Sequence, residues 1–174
     1  MKKILIVVDM QNDFVSGSLG SDEARAIVPN VVEKIKQYHN DYIFFTKDTH
    51  SENYLETLEG QKLPVKHCIE YTWGEQIIDD LQEEFGYSDG IIRKHTFGYA
   101  DWKTYLGEWA QGAEIELCGL CTDICVISNA LALRMFYPDA KITVDASCCA
   151  GVTPEKHAAA LEIMKSCQID VINE

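Results

Sequence analysis

Short apolar runs alternate with longer amphipathic stretches along the whole chain, and this alternation constrains the fold more than any other feature. Lys3-Ile4-Leu5-Ile6-Val7-Val8 is a near-continuous apolar run, the pattern of a strand covered on both faces. Residues 42–46, 90–94, 113–118, 141–144 and 169–172 repeat the pattern less strongly. Helical patterns lie between them. Residues 27–38 place Ile27, Val31, Val32 and Ile35 on one face, and residues 75–85 do the same with Ile77, Ile78, Leu81 and Phe85, with Gly86 as a C-terminal cap. Residues 124–136 form the most apolar helix, stopped before Pro138, and residues 101–109 form a weaker one. Thr153-Pro154-Glu155-Lys156 opens the last helix with an N-cap, a first-turn proline and a nearby acid. Strand–helix alternation from end to end predicts a single three-layer, doubly wound α/β domain over residues 1–174, with a mostly parallel sheet of about six strands. The longest irregular stretch, residues 48–73, is of a length that in a compact domain is usually either functional or mis-assigned.

Composition narrows the partners. With 15 basic against 28 acidic side chains the formal net charge is −13, which argues against nucleic acid and anionic membrane surfaces, since both need basic patches. The apolar run after Met1-Lys2-Lys3 ends at Asp9, too short for a signal-peptide core, and no run reaches the roughly 18 apolar residues of a membrane span. The seven cysteines are odd in number and clustered late, which makes a disulfide framework improbable and a reducing cytoplasm the expected setting.

In open parallel sheets ligands bind beyond the carboxyl ends of the strands. The residues expected there are Asp9 after the first strand, Lys47-Asp48-Thr49-His50 after the second, Lys94-His95 after the third and Gly119-Leu120-Cys121-Thr122-Asp123-Ile124-Cys125 after the fourth. A thiol at Cys125 falls in the first turn of a helix, where free N–H groups and the helix dipole favour the thiolate and can receive an oxyanion. Asp9 can take the thiol proton and return it to a leaving group, while Lys94 holds the anionic pair together. The ordinary alternatives are a small apolar residue buried under the helix start and a structural ion pair. Asp48-x-His50, with His67 from the same long stretch, offers oxygen and imidazole ligands suited to zinc, iron or manganese; Glu52 and Glu59 are the nearest further carboxylates. Two histidines in a loop are also common as plain polar surface. Cys118-x-x-Cys121 lacks a second pair at zinc-ribbon spacing, and the adjacent Cys148 and Cys149 read as structural.

Val8-Asp9-Met10-Gln11-Asn12-Asp13-Phe14 followed by Gly17-Ser18-Leu19 resembles the opening motif of the isochorismatase-like cysteine hydrolases, and Gly119-Leu120-Cys121-Thr122-Asp123-Ile124-Cys125-Val126 resembles their nucleophile segment. The resemblance spans essentially the whole chain. Thr46-Lys47-Asp48-Thr49-His50 with Pro64-Val65-Lys66-His67-Cys68 points to the nicotinamidase branch. The resemblance implies Cys125 as nucleophile, Asp9 as general base and later acid, and Lys94 as the third member. It implies a cis peptide at Leu120–Cys121, with the N–H groups of Cys121 and Cys125 as an oxyanion hole. It also implies Asp48, His50 and His67 as metal ligands joined by Glu59, a divalent transition metal (zinc first, iron or manganese as alternatives), and Phe14 and Phe97 as aromatic walls around a small amide substrate; plain core packing is the alternative for these two.

Three departures from the family pattern stand out. Cys121 replaces the usual alanine, Tyr71-Thr72-Trp73-Gly74 replaces Gly-Thr-x-Gly, and Leu63-Pro64-Val65-Lys66 lacks the tryptophan common before the metal histidine. The reading that results is hydrolysis of nicotinamide to nicotinate and ammonia through a thioester. A metal-independent hydrolase of another small amide or ureido compound is the first alternative, and a non-catalytic small-ligand module is the second. Isochorismate hydrolysis is disfavoured because it does not need the cysteine. The resemblance also allows a homo-oligomer.

Overall fold

The first apolar run becomes the centre of the sheet because every one of its neighbours can cover it. In the computed structural model, which describes residues 2–174 apart from the side chain of Phe85, β1 (Lys3–Val8) pairs with β2 (Tyr42–Asp48) on one side and β4 (Glu114–Leu120) on the other. Ile6 lies opposite both Phe44 and Leu117, and Ile4 through Val8 are fully buried. β3 (Gly90–Lys94) extends the sheet beyond β2, and β5 (Lys141–Ala150) and β6 (Asp170–Ile172) extend it beyond β4. The order is β3-β2-β1-β4-β5-β6, and every pairing is parallel. All six strands expected from the sequence are present; β2 and β5 run further than their apolar patterns.

The helices are α1 (Asn12–Val15), α2 (Asp22–Gln37), α3 (Leu58–Lys62), α4 (Trp102–Leu106), α5 (Ile127–Phe136) and α6 (Pro154–Ser166). α2 packs on β4 and β5, whereas α4, α5 and α6 pack on one another across the opposite face, as right-handed crossovers require when the strand order reverses at β1. Among the described residues no helix is long and apolar enough to cross a membrane.

Several helical expectations are corrected. α2 begins at Asp22 rather than residue 27, because the Ser21 side chain accepts from the Ala24 N–H and caps it there. Residues 75–85 do not form one helix. Their backbone pairs instead with the β1–α1 connection, through a bridge between Gln11 and Ile77 and a 3.0 Å bond from the Ile78 N–H to the Met10 carbonyl. Only 3₁₀ turns at Asp79–Leu81 and Glu83–Tyr87 remain. Ile77, Ile78 and Leu81 are still buried, so the apolar pattern reported burial correctly and periodicity wrongly; the side chain of Phe85 lies outside the described residues. The weak helix at 101–109 breaks at Gly107, whose φ is +62°. The long stretch 48–73 contains a 3₁₀ turn at Tyr54–Glu56 and α3.

α2 is fastened to the sheet by a buried charge. Lys34 Nζ lies 2.6 Å from Glu116 Oε1 and 2.8 Å from Asp145 Oδ2, and the Tyr38 hydroxyl donates to Glu116 Oε2 at 2.8 Å. Burial alone would lower the Lys34 ammonium, but hydrogen bonds to Asp145 and Glu116 hold it above its ordinary value. Burial would raise the Asp145 carboxyl, but bonds from Lys34, Ser147 and Asn173 hold it below the ordinary 3.8. The Asp145 contribution to stability is thus present above pH 3.8 and lost as pH falls through its lower folded value. The Lys34 contribution is present below 10.5 and lost only as pH rises through its higher folded value. Lys34→Met leaves the buried Asp145 and the partly buried Glu116 without their cation and should cost about 3–5 kcal/mol in urea denaturation at pH 7, with the deficit shrinking toward pH 3.

Candidate active site

β1 and β4 are neighbours whose outgoing connections leave in opposite directions, so a crevice opens above their carboxyl ends. The approach of the two strands is close enough that Gly119, with φ +117°, has no room for a Cβ against the Val8 carbonyl oxygen. β1 delivers Asp9, β2 delivers Asp48, β3 delivers Lys94, and β4 leads through a cis Leu120–Cys121 peptide into a π-helical turn, Thr122–Val126, that carries Cys125. The cis bond is where the resemblance implies it. The turn precedes α5, so Cys125 stands at the helix entrance as the sequence predicts.

Lys94 Nζ is the hub. It lies 2.6 Å from Asp9 Oδ2, 3.4 Å from Asp48 Oδ1 and 3.4 Å from Cys125 Sγ. All four side chains are buried, Asp9 and Lys94 to within 2%. The second oxygen of Asp9 accepts a 2.6 Å bond from the Thr46 hydroxyl, and the Asp9 carboxylate and the Cys125 sulfur both face the Lys94 ammonium. Burial raises the Asp9 carboxyl above its ordinary value despite the Lys94 charge beside it. Burial would lower Lys94, but Asp9, Cys125 and Asp48 hold it above its ordinary value, so it is a cation at neutral pH. Burial also pushes the Cys125 thiol well up, with Asp9 adding to the rise and Lys94 opposing it. The thiolate that the helix entrance was expected to favour is therefore not the resting form. Cys125 rests as a thiol and needs a base in contact to become a nucleophile.

A second cluster abuts the first. One ligating atom each from Asp48, His50, Glu59 and His67 falls within 4.8 Å of all the others. His50 Nε2 is 2.9 Å from Asp48 Oδ2 and 3.6 Å from Glu59 Oε1; His67 Nε2 is 3.6 Å and 3.8 Å from the same two oxygens. His67 Nδ1 faces the Val65 carbonyl at 2.8 Å, which puts the proton on Nδ1 and leaves the Nε2 lone pair aimed at the cluster centre. Tyr54 packs against both imidazoles, with ring centroids 4.7 Å and 4.9 Å away. Burial raises the Asp48 carboxyl, but bonds from His50 and His67 and the charge of Lys94 more than reverse this and hold it well below the carboxylate range. Two imidazoles, that of His67 preset in tautomer, and two carboxylates form a donor set that fits a divalent transition metal. Glu59, brought in by α3, completes the set; Glu52 is exposed and outside it.

Cys125, Asp48, Glu59 and His67 open into a cavity of about 170 Å³. Phe14 and Phe97 both line it, with Leu19, Leu63, Ile124 and Val152 as further apolar wall, and Cys121 lines it together with Cys125. Its volume is below the roughly 300–1,000 Å³ of sites for drug-sized ligands, so it suits a single small ring. Of the departures noted in the sequence, Cys121 and Leu63 reach the cavity; Tyr71 and Trp73 are exposed and do not.

Sequence reasoning missed the residues that hold this machinery in place. The Gln11 side chain donates to the Asp48 and Glu75 carbonyls and accepts from the Asp48 N–H, clamping the end of β2. Asp13 accepts from the Cys68 N–H at 2.8 Å and so ties the opening motif to the His67 loop. Fully buried Asn129 accepts from the Tyr99 N–H and Trp102 Nε1 and donates to the Phe97 and Cys125 carbonyls. Polar residues inside the two quoted motifs were the available signal for Gln11 and Asp13; Asn129, on a helix read as apolar, gave none.

The Isochorismatase domain family matches residues 3–174. The PncA isochorismatase family protein of Bacillus subtilis is 32% identical over 92% of this chain and 93% of its own length. The crystal structure of nicotinamidase PncA from Bacillus subtilis superposes with a TM-score of 0.86 at 29% identity, covering 99% of this chain and 100% of that one. Pyrazinamidase of Pyrococcus horikoshii in complex with zinc superposes at 0.83 with 28% identity and complete coverage of both chains. Its fold, the match along nearly its full length and the identity to these relatives make this chain a member of the isochorismatase family.

Proposed function

We propose that residues 1–174 act as one cysteine amidohydrolase domain that converts nicotinamide and water to nicotinate and ammonia through a thioester on Cys125. The observation that carries the reading is the set of contacts Asp9–Lys94–Cys125 beside a small, largely apolar cavity that Cys125 lines together with Asp48, Glu59 and His67 of the ligand cluster. The relatives named nicotinamidase and pyrazinamidase support the substrate class, and the zinc complex of one of them supports zinc, ahead of iron or manganese.

The reaction needs no charge that the site lacks. Asp9 takes the Cys125 proton, and the sulfur attacks the carboxamide carbon as the carbonyl electron pair moves to oxygen. The N–H groups of Cys121 and Cys125 receive that oxyanion. Asp9 returns the proton to the amide nitrogen, the C–N bond breaks and ammonia leaves a thioester. Asp9 then deprotonates a water whose oxygen attacks the acyl carbon; the C–S bond breaks and the sulfur recovers the proton. Lys94 stays charged throughout and anchors whichever partner is anionic. Phe14 and Phe97 flank the ring of the substrate. Asp48, His50, Glu59 and His67 would hold a divalent metal, which when bound would supply a Lewis acid for the lone pair of a heterocyclic nitrogen.

Cys125→Ala should lower ammonia release from nicotinamide by at least about 10³-fold while the far-UV spectrum is kept; full activity in that variant overturns the thioester. An ammonia assay over nicotinamide, pyrazinamide and a panel of small amides and ureido compounds fixes the substrate, and turnover of the panel without nicotinamide turnover moves the assignment to another amide. Elemental analysis of purified protein should find about one transition-metal ion per chain, absent from the His50→Ala/His67→Ala variant; a metal-free, chelator-insensitive enzyme removes the metal from the reading. Thr46→Val deletes a hydrogen bond that stabilises the Asp9 carboxylate, so Asp9 should bind its proton more tightly. The acid limb of kcat/KM should then move to higher pH in the variant.

A further inference from the structure

The turn that carries the nucleophile lacks the usual means of holding itself. Cys121 occupies its N-cap position and offers no side-chain hydrogen bond, while the Ile124 and Val126 N–H groups both converge on the single Cys121 carbonyl. Besides the bond from Asn129 to the Cys125 carbonyl, side-chain support for the turn comes from the far side, from the β5–α6 connection and the first turns of α6. His157 Nδ1 lies 2.8 Å from the hydroxyl of fully buried Thr122, the first residue of the turn. The next residue, Asp123, accepts a 2.9 Å bond from the Val152 N–H. Gly151 packs between them so closely that a Cβ there would lie 2.8 Å from the His157 nitrogen and 2.9 Å from Asp123 Oδ1. His157 is itself anchored by a 2.9 Å bond from its N–H to the carbonyl of Thr153, whose side chain caps α6.

We infer that His157 is a positioning residue for the nucleophile turn, acting through the Thr122 hydroxyl to set where the Cys125 sulfur and the N–H groups of Cys121 and Cys125 stand. Its ring does not line the cavity, so it does not touch substrate. Burial holds it below the ordinary histidine value against the pull of Asp123 and Glu174, so at neutral pH it is an uncharged hydrogen-bonding partner. The other four histidines have different partners: His50 and His67 belong to the ligand cluster, His39 pairs with Glu84, and His95 faces the Thr49 carbonyl. A displaced turn changes the geometry of attack and of the oxyanion contacts while leaving the Phe14 and Phe97 walls intact. The inference rests on Cys125 as nucleophile, and its effect should therefore appear in kcat and not in KM.

The test is a double-mutant cycle with two independent readings. His157→Phe and Thr122→Val should each lower kcat for nicotinamide about tenfold with KM changed less than about twofold. The double variant should lose little beyond either single one, because both remove the same contact. His157→Asn, whose amide reaches the position of Nδ1, should recover most of the activity. The second-order rate of Cys125 alkylation by iodoacetamide, followed by mass spectrometry, should fall in the same variants and recover in His157→Asn. Fully additive losses, a change confined to KM, or unchanged alkylation in folded variants overturns the inference. Should His157→Phe fail to fold, Thr122→Val and His157→Asn still decide it. A wild-type protein that releases ammonia from none of the amides rejects the proposed function alone, because the alkylation rates still report on the turn.

Discussion

Everything at this site depends on one buried ammonium. Lys94 is enclosed by the carboxylates of Asp9 and Asp48 and by the Cys125 thiol, and each of those groups lies where it does because the lysine is there. A lone charge at such depth would lose several kcal/mol of hydration without return, and either carboxylate alone would protonate. Together they leave one excess negative charge, and Asp48 turns its second oxygen to the imidazoles of His50 and His67. The acid–base half and the ligand half of the site thus share Asp48, and a change in charge on one side is felt on the other. A dication among Asp48, His50, Glu59 and His67 would more than offset the excess, which is a physical reason for the two clusters to be adjacent.

The scaffold meets this demand through topology. Three parallel strands end at the same level, so Asp9, Asp48 and Lys94 arrive side by side from β1, β2 and β3 without a loop having to search for them. The fourth component needs the crevice between β1 and β4, and the absent side chain at Gly119 lets β4 lie close enough to bring the nucleophile turn over Asp9. The remaining ligands come from the long connection after β2. That connection is held by backbone bonds at both ends: the His50 N–H donates to the Cys68 carbonyl, and the Cys68 N–H donates to Asp13.

Legibility in the sequence followed the range of the interactions. The strands were readable because burial on both faces leaves a run of apolar residues whatever the partners are, and Asp9, Asp48 and Lys94 were placed on one rim by that same reading. The helix expected at residues 75–85 was not readable, because Ile77 and Ile78 are buried by pairing with the chain around Gln11, a contact between distant segments that imitates helical spacing. The ion-paired Lys34 was invisible for a related reason. On α2 it reads as one more surface lysine until the fold sets Glu116 and Asp145 beneath it. Glu59 could be chosen over Glu52 only through the resemblance, since α3 decides which of them faces the histidines.

The cysteines make the same point about chemistry. Burial raises Cys121 to about 12 and Cys148 to about 11, and it lifts Cys68, Cys118, Cys125 and Cys149 above the ordinary thiol range as well, so intrinsic acidity does not separate the proposed nucleophile from its neighbours. What separates it is contact: Cys125 lines the cavity with its sulfur 3.4 Å from the Lys94 ammonium, which in turn lies 2.6 Å from the Asp9 carboxylate. Cys121 lines the same cavity without either. In the proposed reaction a thiol that is inert until its base acts is protected from adventitious oxidation and alkylation, and it becomes a nucleophile only in the geometry that Asp9, Lys94 and the turn around Cys125 impose together.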